Sequence, residues 1–140
     1  MAFVHLHVHS EYSLLDATCR VRELVAQAKR LGMPALALTD HGVLSGAIKF
    51  YRACLDAGIK PLLGCELYVA PDSRHSRETA LGRSPYHLVV LAMDATGWQN
   101  LLVLVNRAHT EGFYYKPRVD PPLLAEHADG LVALSACESG

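Results

Sequence analysis

Three histidines alternate with apolar residues near the start of the chain, in Phe3-Val4-His5-Leu6-His7-Val8-His9. On a strand, side chains two apart point the same way, so His7 and His9 share a face and lie close enough to bind one metal ion or two adjacent ones. A single histidine there would read as an exposed or hydrogen-bonded ring. Three in alternation, opposite Val4, Leu6 and Val8, favour metal. A second group, Thr39-Asp40-His41-Gly42, closes an apolar run, and sites in α/β sheets and barrels gather where strands end. An Asp–His pair there suits a ligand and the carboxylate that orients it, although Asp and Gly also favour plain turns. Glu66, in Gly64-Cys65-Glu66-Leu67-Tyr68, is a carboxylate inside an apolar strand, costly unless it is paired, bound to a cation or able to reach water. His87, heading Leu88-Val89-Val90-Leu91, poses the same question more weakly. Cys137 follows the last apolar run, where a thiolate could coordinate metal or a thiol could simply pack. A His/Asp/Glu set dispersed over successive strand ends suits a catalytic multi-metal site, whereas structural zinc uses compact Cys/His pairs. No Ser–His–Asp arrangement, glycine-rich phosphate loop or GxGxxG competes.

Apolar periodicity predicts the elements that must position these groups. Phe3–His9 reads as a strand and Arg20–Leu31 as a helix stopped by Gly32. Ala35–Thr39 reads as a buried strand, Leu44–Ala57 as a helix closed by Gly58, and Leu62–Val69 as a third strand. Pro71–Pro85 is a loop, His87–Met93 a strand and Thr96–His109 a helix. Pro117–Pro122 is irregular, Leu123–His127 a short helix and Leu131–Ala136 a last strand. The alternation implies an α/β architecture with a largely parallel sheet or barrel. A parallel crossover usually contains a helix, and Pro71–Pro85 shows no helical pattern. Strands Leu62–Val69 and His87–Met93 are therefore expected to run antiparallel, which brings His87 to the Glu66 end. His7, His9, His41, Glu66 and Cys137 should then meet at one mouth, with His41 within ~10 Å of His9.

The 140 residues are 51% hydrophobic and 19% charged, a globular composition with room for one domain. Net charge is −1, with no basic stripe, so any grip on phosphate must come from a local site. The four cysteines show neither CxxC spacing nor a disulfide framework and read as reduced. Apolar runs such as Leu101–Val105 are too short to cross a membrane, and Met1–His5 lacks the features of a signal peptide, so the expected compartment is the cytoplasm. The sequence stops just after an uncovered strand, which reads as part of a larger barrel.

Taken in order, these motifs resemble a family. Phe3–Ser10 with Tyr12-Ser13-Leu14-Leu15-Asp16 is similar to the first motif of polymerase-and-histidinol-phosphatase (PHP) domains, in the form that bacterial DNA polymerase III alpha subunits carry. Gly32–Gly42 resembles the second motif and Gly58–Glu66 the third. His87-Leu88, Gly97–Leu101, Gly112–Arg118 and Ser135-Ala136-Cys137 continue the series over essentially the whole chain. The resemblance implies a distorted (β/α) barrel, here its N-terminal portion over residues 1–140, with up to three divalent metals at one mouth. Zinc is the first expectation, with manganese or magnesium as alternatives. The implied ligands are His7, His9, Asp16, His41, Glu66, His87 and Cys137, with Asp40 behind them and His5 outside the set. His7, His9, Asp40, His41 and Glu66 would carry the chemistry, and a further Asp and His ligand would lie past residue 140. The implied activity is metal-dependent phosphodiester hydrolysis as a 3′–5′ proofreading exonuclease. The expected partners are a single-stranded DNA 3′ end and other replicase subunits, and not a membrane. A non-catalytic scaffold docking a separate exonuclease, and a small-molecule phosphatase, are the alternatives. Arg74, Arg77, Lys116 and Arg118 are candidate DNA contacts because they lie in loops.

Overall fold

The computed structural model describes residues 3–77 and 84–136, so Cys137 and part of the Pro71–Pro85 segment lie outside the described residues. Helix α1 (Val21–Arg30) buries Val21, Val25 and Ala28, the stripe its spacing demands. Strand β1 (Ala35–Leu38) follows and is buried throughout. Helix α2 (Ala47–Ala57) buries Ala47, Phe50 and Cys54, and Gly58 ends it in the left-handed conformation. The long strand β2 (Lys60–Val69) precedes β3 (Tyr86–Ala92) and helix α3 (Ala95–Thr110). Asp94 caps α3 by accepting a hydrogen bond from the Gly97 N–H. The pair β4 (Arg118–Val119) and α4 (Pro121–Glu126) leads to β5 (Leu131–Leu134). Among the described residues no helix is long and apolar enough to cross a membrane.

The sheet order is β1-β2-β3-β5, with β4 also pairing β2. β1 and β4 run parallel to β2, which they meet at its opposite ends; β3 is antiparallel to β2, and β5 to β3. The sheet is therefore mixed, which corrects the expectation of a largely parallel one. The expected antiparallel pairing of the third and fourth strands is observed, in the register Glu66↔Val89 and Tyr68↔His87.

Two expected elements change, and Pro117–Pro122, expected to be irregular, holds β4 and the start of α4. Helix α2 begins at Ala47 instead of Leu44, because a turn closed by the Ala47 N–H on the Leu44 carbonyl precedes it. Phe3–His9 is not a regular strand, and the chain bends at Leu6–His7. The Ala37 N–H bonds to the His5 carbonyl and the Thr39 N–H to the Val8 carbonyl, so three steps on this segment match two on β1. That extra residue breaks the alternation, as in a bulge, and leaves Leu6 exposed. The Thr39 hydroxyl completes the junction, accepting from the Val8 N–H and donating to the Val8 carbonyl.

Alternation along the strands separates the two faces of the sheet. Leu36 and Leu38 pack against Val21, Val25, Phe50 and Cys54 of the first two helices. Cys65, Leu67 and Val90 pack against Leu101, Leu104 and Leu123 of α3 and α4. The opposite face gathers Ala37, Val89 and Leu91 around Leu62 and Leu134. By strand parity, Glu66, Tyr68 and His87 project on this second face.

Candidate metal centre

The site begins where β1 runs out. The Glu66 N–H bonds to the Asp40 carbonyl and the Gly42 N–H to the Glu66 carbonyl, so His41 is bridged in parallel to Glu66. Gly42 has φ +63°, and a Cβ there would come 2.7 Å from Pro117 Cγ and 3.3 Å from Tyr68 Cε2, so this turn needs glycine. His109 reinforces it, its Nε2 bonding the Gly42 carbonyl at 2.8 Å.

Glu66 is 1% exposed and sits among four histidine rings. Its Oε2 lies 2.6 Å from both His7 Nε2 and His9 Nε2, which are 3.1 Å apart. Its Oε1 lies 2.8 Å from His87 Nδ1. Asp16 Oδ2 reaches His41 Nε2 at 2.7 Å and His9 Nδ1 at 3.1 Å. The His9 and His41 ring centroids are 4.2 Å apart, well inside the expected limit. Asp16, His7, His9, His41, Glu66 and His87 thus converge from separate parts of the chain, while Cys137 is outside the described residues. The His5 ring meets Phe3 instead.

These atoms form three overlapping groups able to hold an ion: His7–His9–Glu66, His9–Asp16–His41, and His41–Glu66–His87. His9, His41 and Glu66 each belong to two of them. Burial raises the Glu66 pKa, but hydrogen bonds from His9 and His7 and the nearby His41 outweigh it and hold the carboxyl down to about 2. The Glu66 bond in turn raises the His9 pKa. Burial lowers that of His41 and favours its neutral ring, the form that coordinates metal. Its Nδ1 is buried with no hydrogen-bond partner and stands 3.7 Å from Glu66 Oε2, too far for a hydrogen bond. Such an orphaned nitrogen facing a carboxylate, beside two imidazole nitrogens that face each other, fits divalent cations.

Sequence alone did not single out three supporting side chains. Tyr68 stacks on His41 with centroids 5.6 Å apart and planes at 14°; its place two residues after Glu66 on the same strand face was the available signal. Ser10 and Ser13, both buried, bind Asp40, an attachment between distant segments with no local signature. Asp40 Oδ1 accepts from the Ser10 N–H at 2.6 Å and the Ser13 hydroxyl at 2.7 Å, and Oδ2 accepts from the Ser10 hydroxyl at 2.8 Å. Ser13 Oγ also accepts from the His41 N–H at 3.1 Å. Asp40 therefore pins the turn leading to Asp16, and the carboxylate bonded to the His41 ring is Asp16.

Two of the four candidate DNA contacts are consumed by the fold. Arg118 is 7% exposed and donates to the carbonyls of Gly112, Arg74 and Ser76. Arg74 pairs with Glu111 and Asp120, at 2.8 Å each. Arg77 bonds the Phe113 carbonyl, and Lys116 Nζ lies 5.1 Å from the Tyr68 ring centroid. Cys65 is a buried thiol whose Sγ meets the Asp40 carbonyl at 3.3 Å, and burial pushes its pKa far up.

Comparison with known proteins identifies relatives of the chain as a whole. The chain is 58% identical to the DNA polymerase III alpha subunit of Treponema pallidum over all of its own length and 12% of that protein. It is 52% identical to the Chlamydia trachomatis alpha subunit over all of its length and 11% of that protein. It is 47% identical to the Borreliella burgdorferi subunit over 99% of its length and 12% of that protein. The chain thus spans about an eighth or less of these relatives. Among solved structures, a Chromobacterium violaceum amidohydrolase with bound sulfate matches with TM-score 0.56 and 28% identity, over 76% of this chain and 33% of that one. A Bifidobacterium adolescentis protein, described as a candidate metal-dependent phosphoesterase, shares the fold with TM-score 0.50 and 21% identity, over 75% of this chain and 32% of that one. The PHP domain family matches residues 5–140, and the chain belongs to that family.

Proposed function

We propose that this chain is the N-terminal portion of the PHP domain of a bacterial DNA polymerase III alpha subunit, and that it contributes to a multi-metal centre that hydrolyses phosphodiesters at a single-stranded DNA 3′ end. One observation carries the reading. Four histidines and two carboxylates form three overlapping triads at a single mouth, with the buried His41 Nδ1 lacking a hydrogen bond. Purely structural ion pairing would leave no reason for so many neutral-capable rings around one buried carboxylate.

Divalent ions held by these residues would stabilise charge on a scissile phosphate and lower the pKa of a water. His7, His9 and His87 place nitrogens around Glu66, whose low pKa keeps the carboxylate ionised. His9 and His41 each face two groups, so the triads share ligands instead of forming separate sites. Tyr68 stacks on His41 and Asp16 bonds its Nε2, which together fix that ring's plane. The adjoining cavity, about 560 Å³, is lined by Asp16, His41, His87 and Lys116 among others. Its size matches a small-ligand pocket. Zinc, with manganese and magnesium as competitors, is the expected ion set for nitrogen and carboxylate donors.

The test is metal content and release of mononucleotides from a labelled single-stranded 3′ end, on the full-length protein that carries this chain and on its His9→Ala variant. The expected result is bound divalent metal and hydrolysis in the parent, with both strongly reduced in the variant while folding is kept. A metal-free, inactive parent that still supports polymerisation would establish the scaffold reading instead. Hydrolysis surviving intact in the His9→Ala protein would place the activity elsewhere.

A further inference from the structure

We infer that the Leu14–Leu15 tip and Lys116 form a nucleotide-binding rim at this mouth, with the leucines against the base of the 3′-terminal nucleotide and Lys116 on its phosphate. The inference rests on the proposed phosphodiester substrate and adds which residues recognise it.

Leu14 is 86% exposed and Leu15 98%, at the tip of a tight turn. Turn tips are usually occupied by Gly, Asn, Asp or Ser, and here two adjacent leucines bury almost no surface within this chain. Their positions are nevertheless fixed from both sides. Ser13 is bonded to Asp40, the Asp16 and Ala17 N–H groups return to the Ser13 carbonyl, and Asp16 is bonded to His41. An apolar pair held this firmly beside a polar cavity is a ligand contact, because exposed apolar surface rimmed by polar groups marks binding sites.

Lys116 supplies the complementary half. It lines the same cavity as Leu14, Leu15, Asp16 and His41. Its ammonium lies over Tyr68, the ring that stacks on His41. Among the described residues it forms no ion pair with a carboxylate, whereas Arg74 pairs with Glu111 and Asp120 and Arg118 donates to three backbone carbonyls. A cation left without a carboxylate at a mouth holding Asp16 and Glu66 suits an incoming anion. Cation on one side and apolar pair on the other match a phosphate and a base. This contact would be indifferent to base identity, because leucine side chains read an apolar surface and offer no hydrogen bonds.

The experiment uses the full-length protein and a short oligothymidylate ending in 4-thiothymidine, its last linkage a phosphorothioate that resists hydrolysis. Irradiation cross-links the terminal base, and mass spectrometry maps the attachment. The expected attachment falls within Tyr12–Asp16, and the Leu14→Ser/Leu15→Ser variant should lower its yield about tenfold. An oligonucleotide with an abasic 3′ end should compete about tenfold less well than an intact one. Cross-links mapping away from this turn, or equal competition by the abasic end, would overturn the rim. So would a variant that detaches another subunit while cross-linking normally, since the leucines would then be a protein contact. Cross-linking at the turn in a protein that does not hydrolyse DNA would uphold the rim and refute the catalytic reading. Hydrolysis with no cross-link at the turn would do the reverse.

Discussion

Asp40 offers the sharpest separation between positioning and direct participation, and Asp40→Ala is the perturbation that tests it. The carboxylate is 2% exposed and accepts three hydrogen bonds of 2.6–2.8 Å from Ser10 and Ser13. Bonds to a charged acceptor each contribute about 1.5–3 kcal/mol, and a buried donor left without a partner costs about 1–3 kcal/mol. The two hydroxyls can rotate toward other acceptors, but the Ser10 N–H cannot, and Ser10 is 0% exposed. The expected loss is about 3–4 kcal/mol, which a domain of ordinary stability survives. Asp40→Asn keeps one acceptor oxygen for the Ser10 N–H and the Ser13 hydroxyl, and its new NH2 can donate to Ser10 Oγ, so about 1–2 kcal/mol is expected. Urea unfolding with an unchanged m-value measures both variants. Because Asp40 anchors the turn carrying Asp16, metal affinity should also fall about 10–100-fold in the alanine variant and less in the asparagine one. An unchanged urea midpoint with retained metal for Asp40→Ala would refute the anchoring argument. Equal, complete loss of metal in both variants with no loss of stability would make Asp40 a direct ligand.

Other perturbations probe separate parts of the molecule. Glu66→Gln keeps the shape but removes the charge shared by two of the three triads, so metal content by elemental analysis should fall at least about tenfold with the circular-dichroism spectrum unchanged. Gly97→Ala would put a Cβ 1.8 Å from the Gly130 carbonyl oxygen; since both partners are backbone, thermal melting should show a loss of about 3 kcal/mol or more. For Asp120, burial raises the pKa, but hydrogen bonds from the Arg74 backbone and side chain outweigh it and hold it below the usual carboxylate value. A depressed folded pKa stabilises above the unfolded value of about 3.9 and is lost as pH falls through the folded one. Wild type should therefore exceed Asp120→Asn in stability near neutral pH, with the gap narrowing below about pH 4 in denaturation series. A constant gap across that range would show that the Arg74 pair does not depend on the Asp120 charge.

Periodicity and punctuation determined most of the element list. The stripe Val21, Val25 and Ala28, the stops at Gly32 and Gly58, and the apolar runs of β1 to β3 are local signals, and the structure places helices and strands on them within a few residues. The antiparallel β2–β3 pairing was legible because the connection lacked a helical pattern. His7, His9, His41 and Glu66 were legible as candidates because imidazole and carboxylate on or beside apolar strands carry unusual chemistry for their position, whereas Asp16, in a turn, entered only through the family resemblance. What no local pattern carries is the interleaving of distant segments. The extra residue at Leu6–His7, fixed by the Thr39 hydroxyl, depends on pairing with β1. Asp40 turned toward Ser10 and Ser13 because a buried carboxylate takes whichever donors the fold brings to it. Arg74 and Arg118, which lie in or beside loops, became structural because open carbonyls and carboxylates surrounded them after folding. Sequence spacing fixes which side chains can share a face, but desolvation decides which polar groups must pair, and only the tertiary structure sets which groups are taken out of water together.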